Sequence, residues 1–130
     1  MTLTRKAPLA ARSPLKPAKT VRSTLKSRAS KPSKIRLSAK GELCLVRVPG
    51  VCNGDPATVV LAHLNGAGAG MKNPDWQAAY ACSSCHAFLD GGYANSGIWR
   101  EQRDLLHLQG VIRTQSRLID KGFIQIQGAV

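Results

Sequence analysis

Four cysteines in two separated pairs, Cys44 with Cys52 and Cys82 with Cys85, constrain this chain more than any other feature. Outside the first 35 residues only about 90 remain to build a core, and aromatic residues make up 5% of the sequence. A domain that small commonly needs a staple beyond hydrophobic burial. The N-terminus lacks the apolar segment of a secretory signal, and in an intracellular chain two distant cysteine pairs favour a metal site over a disulfide framework. Zinc takes four thiolates tetrahedrally, so the expectation is a structural Zn2+ held by Cys44, Cys52, Cys82 and Cys85. Cys82-Ser83-Ser84-Cys85 has the usual knuckle spacing, whereas seven residues separate Cys44 from Cys52, outside the usual two to four. The competing reading is four small buried hydrophobes.

Charge divides the chain into two parts. Residues 1–40 hold 12 of the 19 Lys+Arg and none of the 7 Asp+Glu, which leaves 7 basic and 7 acidic residues for 41–130. The whole net charge of +12 therefore belongs to the N-terminal stretch. That stretch mixes Lys and Arg with Ser, Thr and Pro and shows neither helical nor strand periodicity. Residues 1–35 read as a disordered basic arm, with 36–130 as the folded domain. Such an arm can follow a phosphate backbone, because each neutralised phosphate releases counterions whatever the fold. Arg5, Lys6, Arg12, Lys16, Lys19, Arg22, Lys26, Arg28, Lys31 and Lys34 are its candidate nucleic-acid contacts. A solvated tail or a mitochondrial transit peptide has similar composition. No apolar run reaches the roughly 18 to 20 residues needed to span a bilayer, so the expectation is a soluble, intracellular protein with no membrane association; no protein partner is predicted, and the sequence does not give the oligomeric state.

Within the domain, residues 42–48 and 57–64 read as two strands joined through the Asn53-Gly54-Asp55-Pro56 turn signal. The loop Asn65–Gly70 is glycine-rich but lacks the Lys-Ser/Thr of a phosphate-binding loop, so no nucleotide role is assigned to it. Asn73-Pro74-Asp75 resembles an N-cap with proline at the first helical position and predicts a helix through Tyr80. A second short helix follows over Cys82–Asp90, closed by Gly91-Gly92. The spacing of Ile98, Leu105, Leu106, Val111, Ile112, Leu118 and Ile119 predicts two supporting helices broken at Gly110, and Phe123–Gln127 alternates like a short strand. The fold class expected is α+β.

His63 closes the second predicted strand and His86 directly follows Cys85, so a zinc staple could bring two imidazoles together from 23 positions apart. His107 lies in an apolar helical stretch and reads as packed. Trp76 and Trp99 read as core anchors, since no basic and aromatic interleaving surrounds them. Arg100, Arg103, Arg113 and Arg117 could meet phosphates, but their mixture with Glu101, Asp104 and Asp120 favours a solvated face.

The order Cys44, Cys52, Ala62-His63-Leu64, Asn73-Pro74-Asp75, Cys82-x-x-Cys85-His86 resembles HNH, or His-Me finger, endonucleases with an embedded four-cysteine zinc site. More narrowly, Cys44–Asn53, Leu61-Ala62-His63 and Ala81–His86 resemble the small YbcO-like nucleases of phages and prophages, over about residues 40–122. The resemblance implies a ββα-metal domain that cleaves DNA phosphodiesters in a bacterial host cytoplasm. It implies His63 as general base, His86 as ligand of a catalytic Mg2+ or other divalent cation, and Asn73 or Asp75 as the central residue that orients the loop. Many such nucleases carry Asp or His just before the base, where this chain has Ala62. Asp90, four residues after His86 on one helix face, is the candidate replacement ligand. The runner-up reading is a noncatalytic zinc-stabilised DNA-binding or recombination accessory module, and a weaker third is an RNA-binding factor.

Overall fold

The computed structural model describes residues 31–66, 68 and 71–128. The arm candidates from Arg5 to Arg28 lie outside these residues, while Lys31 and Lys34 are exposed at the start of the described chain. Five regular elements follow: helix α1 (Lys34–Ser38), strand β1 (Val60–His63), strand β2 (Ala78–Ala81), helix α2 (Ser83–Asp90) and helix α3 (Arg100–Asp120). The fold is α+β, as the sequence suggests. No helix among the described residues is long and apolar enough to cross a membrane.

β1 and β2 pair antiparallel, with Leu61 opposite Tyr80 and His63 opposite Ala78. β1 is shorter than the predicted strand, because Asp55 caps a 3-10 turn over Pro56–Thr58 by accepting from the Ala57 amide at 3.0 Å. β2 corrects the expectation of a helix through Tyr80. Asn73-Pro74-Asp75 opens only a single 3-10 turn at Asp75–Gln77, and the chain then extends. All four residues of β2 are buried. Small alanines let β1, the 43–46 segment and α3 close around this strand, so tertiary packing overrides the helical propensity of alanine.

The 42–48 stretch is not a strand. It contributes one ladder-like bond, Leu45 N–H to the Tyr80 carbonyl at 2.8 Å, before Arg47 turns at φ 52° and Gly50 at φ 72°. These turns bring Cys52 back toward Cys44.

α3 is one continuous helix rather than two. Gly110 does not break it but lies where α3 crosses the sheet, and a Cβ there would stand 2.9 Å from Val46 Cγ2 and 3.1 Å from Val46 Cα. Close approach, rather than a turn, requires this glycine. Thr114, one helical turn on, accepts from the Tyr80 amide at 2.9 Å and donates to the Gly110 carbonyl at 2.8 Å. Val111 and Leu118 enter the core, whereas Leu105, Ile112 and Ile119 face outward. Trp76 and Trp99 are likewise not core anchors, being 47% and 75% exposed. Phe123–Gln127 forms no strand; the Phe123 amide caps α3 on the Leu118 carbonyl at 2.9 Å.

Candidate functional site

Helix α2 carries two sets of donors. At its start, the Cys82 sulfur caps the helix and accepts from the Cys85 amide at 3.4 Å. The Sγ atoms of Cys44, Cys52, Cys82 and Cys85 all lie within 4.8 Å of one another, with Cys52 and Cys82 3.9 Å apart. Four sulfurs at about 2.3 Å from a tetrahedral ion would stand about 3.8 Å apart, so this cluster could hold a metal ion with little contraction. Burial opposes ionisation of Cys82, but the amides of Cys85 and Asn53 bring its thiol down to about 7. Burial pushes Cys85 and Cys52 up instead. A cation at the centre would offset that penalty at Cys52 and Cys85.

Past the cluster, α2 turns His86 and Asp90 outward. His86 Nδ1 and Asp90 Oδ2 are 2.9 Å apart, with side chains 36% and 65% exposed. Two ligands at right angles around a Mg2+-like ion at about 2.1 Å would stand about 3.0 Å apart. The pair fits two positions of such an ion. Ala62, where the resemblance leads one to expect another ligand, is buried and offers none.

His63 ends β1, and three bonds fix the backbone around it. The buried His107 pairs through Nε2 with the Ala62 carbonyl at 3.0 Å, Asn73 Nδ2 donates to the Leu64 carbonyl at 2.6 Å, and the Leu64 amide donates to the Gln77 carbonyl at 3.1 Å. Burial lowers the His107 pKa, which favours a neutral ring donating to that carbonyl, and His107 is packed as its sequence context suggests. Asn73 thus ties the loop between the strands to the end of β1.

His63 Nε2 lies 2.6 Å from Asp75 Oδ1. Burial opposes the Asp75 charge, but hydrogen bonds from Ser33 and His63 and the positive charge of Arg36 hold its carboxyl below the usual range. An ionised Asp75 accepts from Nε2–H, which leaves Nδ1 as the basic nitrogen. The Asp75–His63 pairing has no local sequence signal, since the partners stand 12 positions apart across the strand connection.

His63, His86 and Asp90 line one cleft of about 570 Å³, together with Arg36, Lys72 and the backbone of Gly66 and Gly68. No cysteine lines this cleft. The arginines of α3 serve mainly within the molecule. Arg103 is buried, donating to the Leu89 carbonyl at 2.9 Å, with its guanidinium 4.6 Å from the centre of the Tyr93 ring. Arg113 donates to the Leu45 carbonyl at 2.9 Å and Arg117 pairs with Glu42 at 3.1 Å. Arg100 alone of the four is exposed without a described partner.

Residues 33–123 match the family model described as "Putative nuclease YbcO". The chain is 43% identical to "Putative nuclease YbcO" of Escherichia coli (strain K12), over 70% of this chain and 96% of that protein. A relative from Enterobacteria phage 82 bearing the same description shows the same identity and coverage. Among solved structures, a bacteriophage protein from Escherichia coli str. K-12 substr. MG1655 superposes with a TM-score of 0.57 at 38% identity, over 68% of this chain and all of that one. With more than half of its length matched by the family model and a relative nearly fully covered, this chain belongs to the YbcO family.

Proposed function

We propose that this protein is a metal-dependent endonuclease of the HNH, or His-Me finger, type that hydrolyses DNA phosphodiester bonds in the cytoplasm of a bacterial host cell. The observation that carries the reading is the convergence of His63, already paired with a carboxylate, and the His86–Asp90 pair on one cleft. The order β1, β2, α2 and the nuclease description of the relatives support it.

His63 accepts the proton of the attacking water at Nδ1, and Asp75 stabilises the imidazolium that forms. Asn73 keeps the loop after β1 in place by holding the Leu64 carbonyl. His86 and Asp90 would hold a catalytic Mg2+ or a similar cation. That cation supplies charge stabilisation at the phosphate and at the leaving oxygen. Lys72 brings positive charge to the cleft where the phosphate backbone enters. Cys44, Cys52, Cys82 and Cys85 hold a structural Zn2+ that fixes the start of α2, and so the direction of His86. The N-terminal arm adds affinity without sequence readout.

The absence of a side-chain ligand at Ala62 favours one second reading, a noncatalytic DNA-binding or recombination module on the same fold. Nicking of supercoiled plasmid by wild-type protein and His63→Ala, with Mg2+, Mn2+ or excess chelator, separates the two. The expected result is metal-dependent nicking that falls by about 10² to 10⁴-fold in His63→Ala while DNA binding is retained. Wild-type turnover in the variant would remove His63 as the base, and salt-sensitive binding without nicking under any metal would establish the second reading.

A further inference from the structure

Asp75 takes three donors, and two of them come from the root of the N-terminal arm. The Ser33 hydroxyl donates to Asp75 Oδ2, while Arg36 Nη2 lies 3.4 Å from Oδ1, the oxygen that also holds His63 Nε2. Ser33 also caps α1 by accepting from the Arg36 amide at 3.1 Å. The other end of α1 is tied to the sheet, since Ser38 Oγ stands 2.6 Å from the Tyr80 hydroxyl, and Ile35 packs against the core between the two ties. Five residues of helix could not hold themselves in water, so these contacts with the body of the domain place α1. The contacts with Asp75 span 42 and 39 positions of sequence.

We propose that α1 is a positioning element of the site: Ser33 and Arg36 fix the Asp75 carboxylate, and Asp75 in turn fixes the orientation and tautomer of His63. The proposal rests on the reading of His63 as the base. A carboxylate free to rotate would present either oxygen to the ring and leave Nε2 without a fixed partner. Ser33 occupies Oδ2, which reserves Oδ1 for His63 and Arg36. The chain before Ser33 therefore joins the fold at the site itself, and displacement of α1 would loosen the base.

The test uses full-length protein carrying Arg36→Ala, the double substitution Ser33→Ala with Arg36→Ala, and the conservative Arg36→Lys. Lys40→Ala removes one positive charge from an exposed position just beyond α1 and serves as the charge control. Steady-state nicking gives kcat and KM, and 15N shifts of the His63 ring nitrogens, recorded without DNA, give the tautomer. The double variant should lose about 10-fold in kcat with KM within twofold, and its ring nitrogens should move from one fixed tautomer toward an exchanging pair. Arg36→Lys should recover part of the loss, and Lys40→Ala should match wild type. A raised KM with unchanged kcat would make Arg36 a phosphate contact and overturn the proposal. Unchanged ring shifts in the double variant would overturn it whatever the activity. Since the ring measurement needs no cleavage, an inactive wild type would count against the nuclease reading alone, and the shifts would still decide whether α1 positions His63.

Discussion

The cysteine cluster and the cleft share helix α2 but differ in how they are held. Three of the four cysteines are buried, and their sulfurs come from two distant segments that the Leu45–Tyr80 backbone bond and the bonds from Asn53 to Ser83 and Ser84 also join. His86 and Asp90, on the outward side, are partly exposed and offer only two donors to a cation. The first arrangement suits an ion bound once and kept; the second leaves coordination positions open, which a reacting group requires. If both donor sets bind metal as proposed, a stabilising site and a reactive one lie within one helical turn of each other, on a helix with one face in the core and one in water.

The largest effect expected from separating the two comes from Cys85→Ser, which removes a thiolate while nearly conserving volume. If the cluster holds zinc, the variant should lose the bound metal and more than about 4 kcal/mol of stability, out of a total of about 5 to 15 for a typical domain. Zinc content and thermal unfolding with and without chelator measure this. A chelator-insensitive wild type and a Cys85→Ser variant of near-wild-type stability would reduce the cysteines to packing.

On the outward face, His86→Ala should weaken binding of the activating cation by about 10 to 100-fold, read as the Mn2+ concentration giving half-maximal nicking. Asp90→Ala should do the same to a smaller degree. Both should leave thermal stability within about 0.5 kcal/mol, as for other exposed positions. A large stability loss in either would show that the two faces are not separable.

Gly110→Ala probes the packing that supports both. Alanine gains about 1 kcal/mol of helix propensity, but its Cβ would meet the Val46 backbone, and overpacking of that kind costs about 1 to 3 kcal/mol. Net destabilisation by chemical denaturation is expected, with zinc content unchanged; a stabilised variant would show that the 43–46 segment yields easily.

The smallest effect concerns pH. The hydrogen bond from Lys121 is the largest contribution holding the Glu42 pKa below its ordinary 4.5, opposed by burial and reinforced by Arg117. A depressed folded pKa contributes stability above the unfolded value that is lost as pH falls through the folded one. Glu42→Gln should therefore cost roughly 1 kcal/mol at neutral pH, and the difference from wild type should vanish once the pH lies below the folded pKa. A gap that persists at acid pH would mean that shape rather than charge matters at this position.

Legibility followed the range of the interactions. The cysteine set, the end of α2 at Gly91 and the α+β class depend on spacing and turn chemistry, which are local. β2 was misread because its alanines favour a helix when taken alone and form a strand only between β1, Leu45 and α3. Gly110 was misread for a related reason, since a glycine that breaks a helix and one that admits a neighbouring chain look alike in sequence. A zinc staple suggests that His63 and His86 meet, the family resemblance gives them roles and helix spacing adds Asp90, and the composition of the chain requires none of this.

By itself the sequence determined which groups could bind metal and where the positive charge lies, because thiols, imidazoles and basic runs carry their chemistry wherever they are placed. Only the tertiary structure decided which of them meet. Asp75 could have capped a helix; instead it pairs with His63 across the strand connection and with Ser33 and Arg36 at the start of the described chain. Hydrogen bonds act over about 3 Å, and the distances that satisfy them are set by how β1, β2 and α1 pack, which no local pattern encodes.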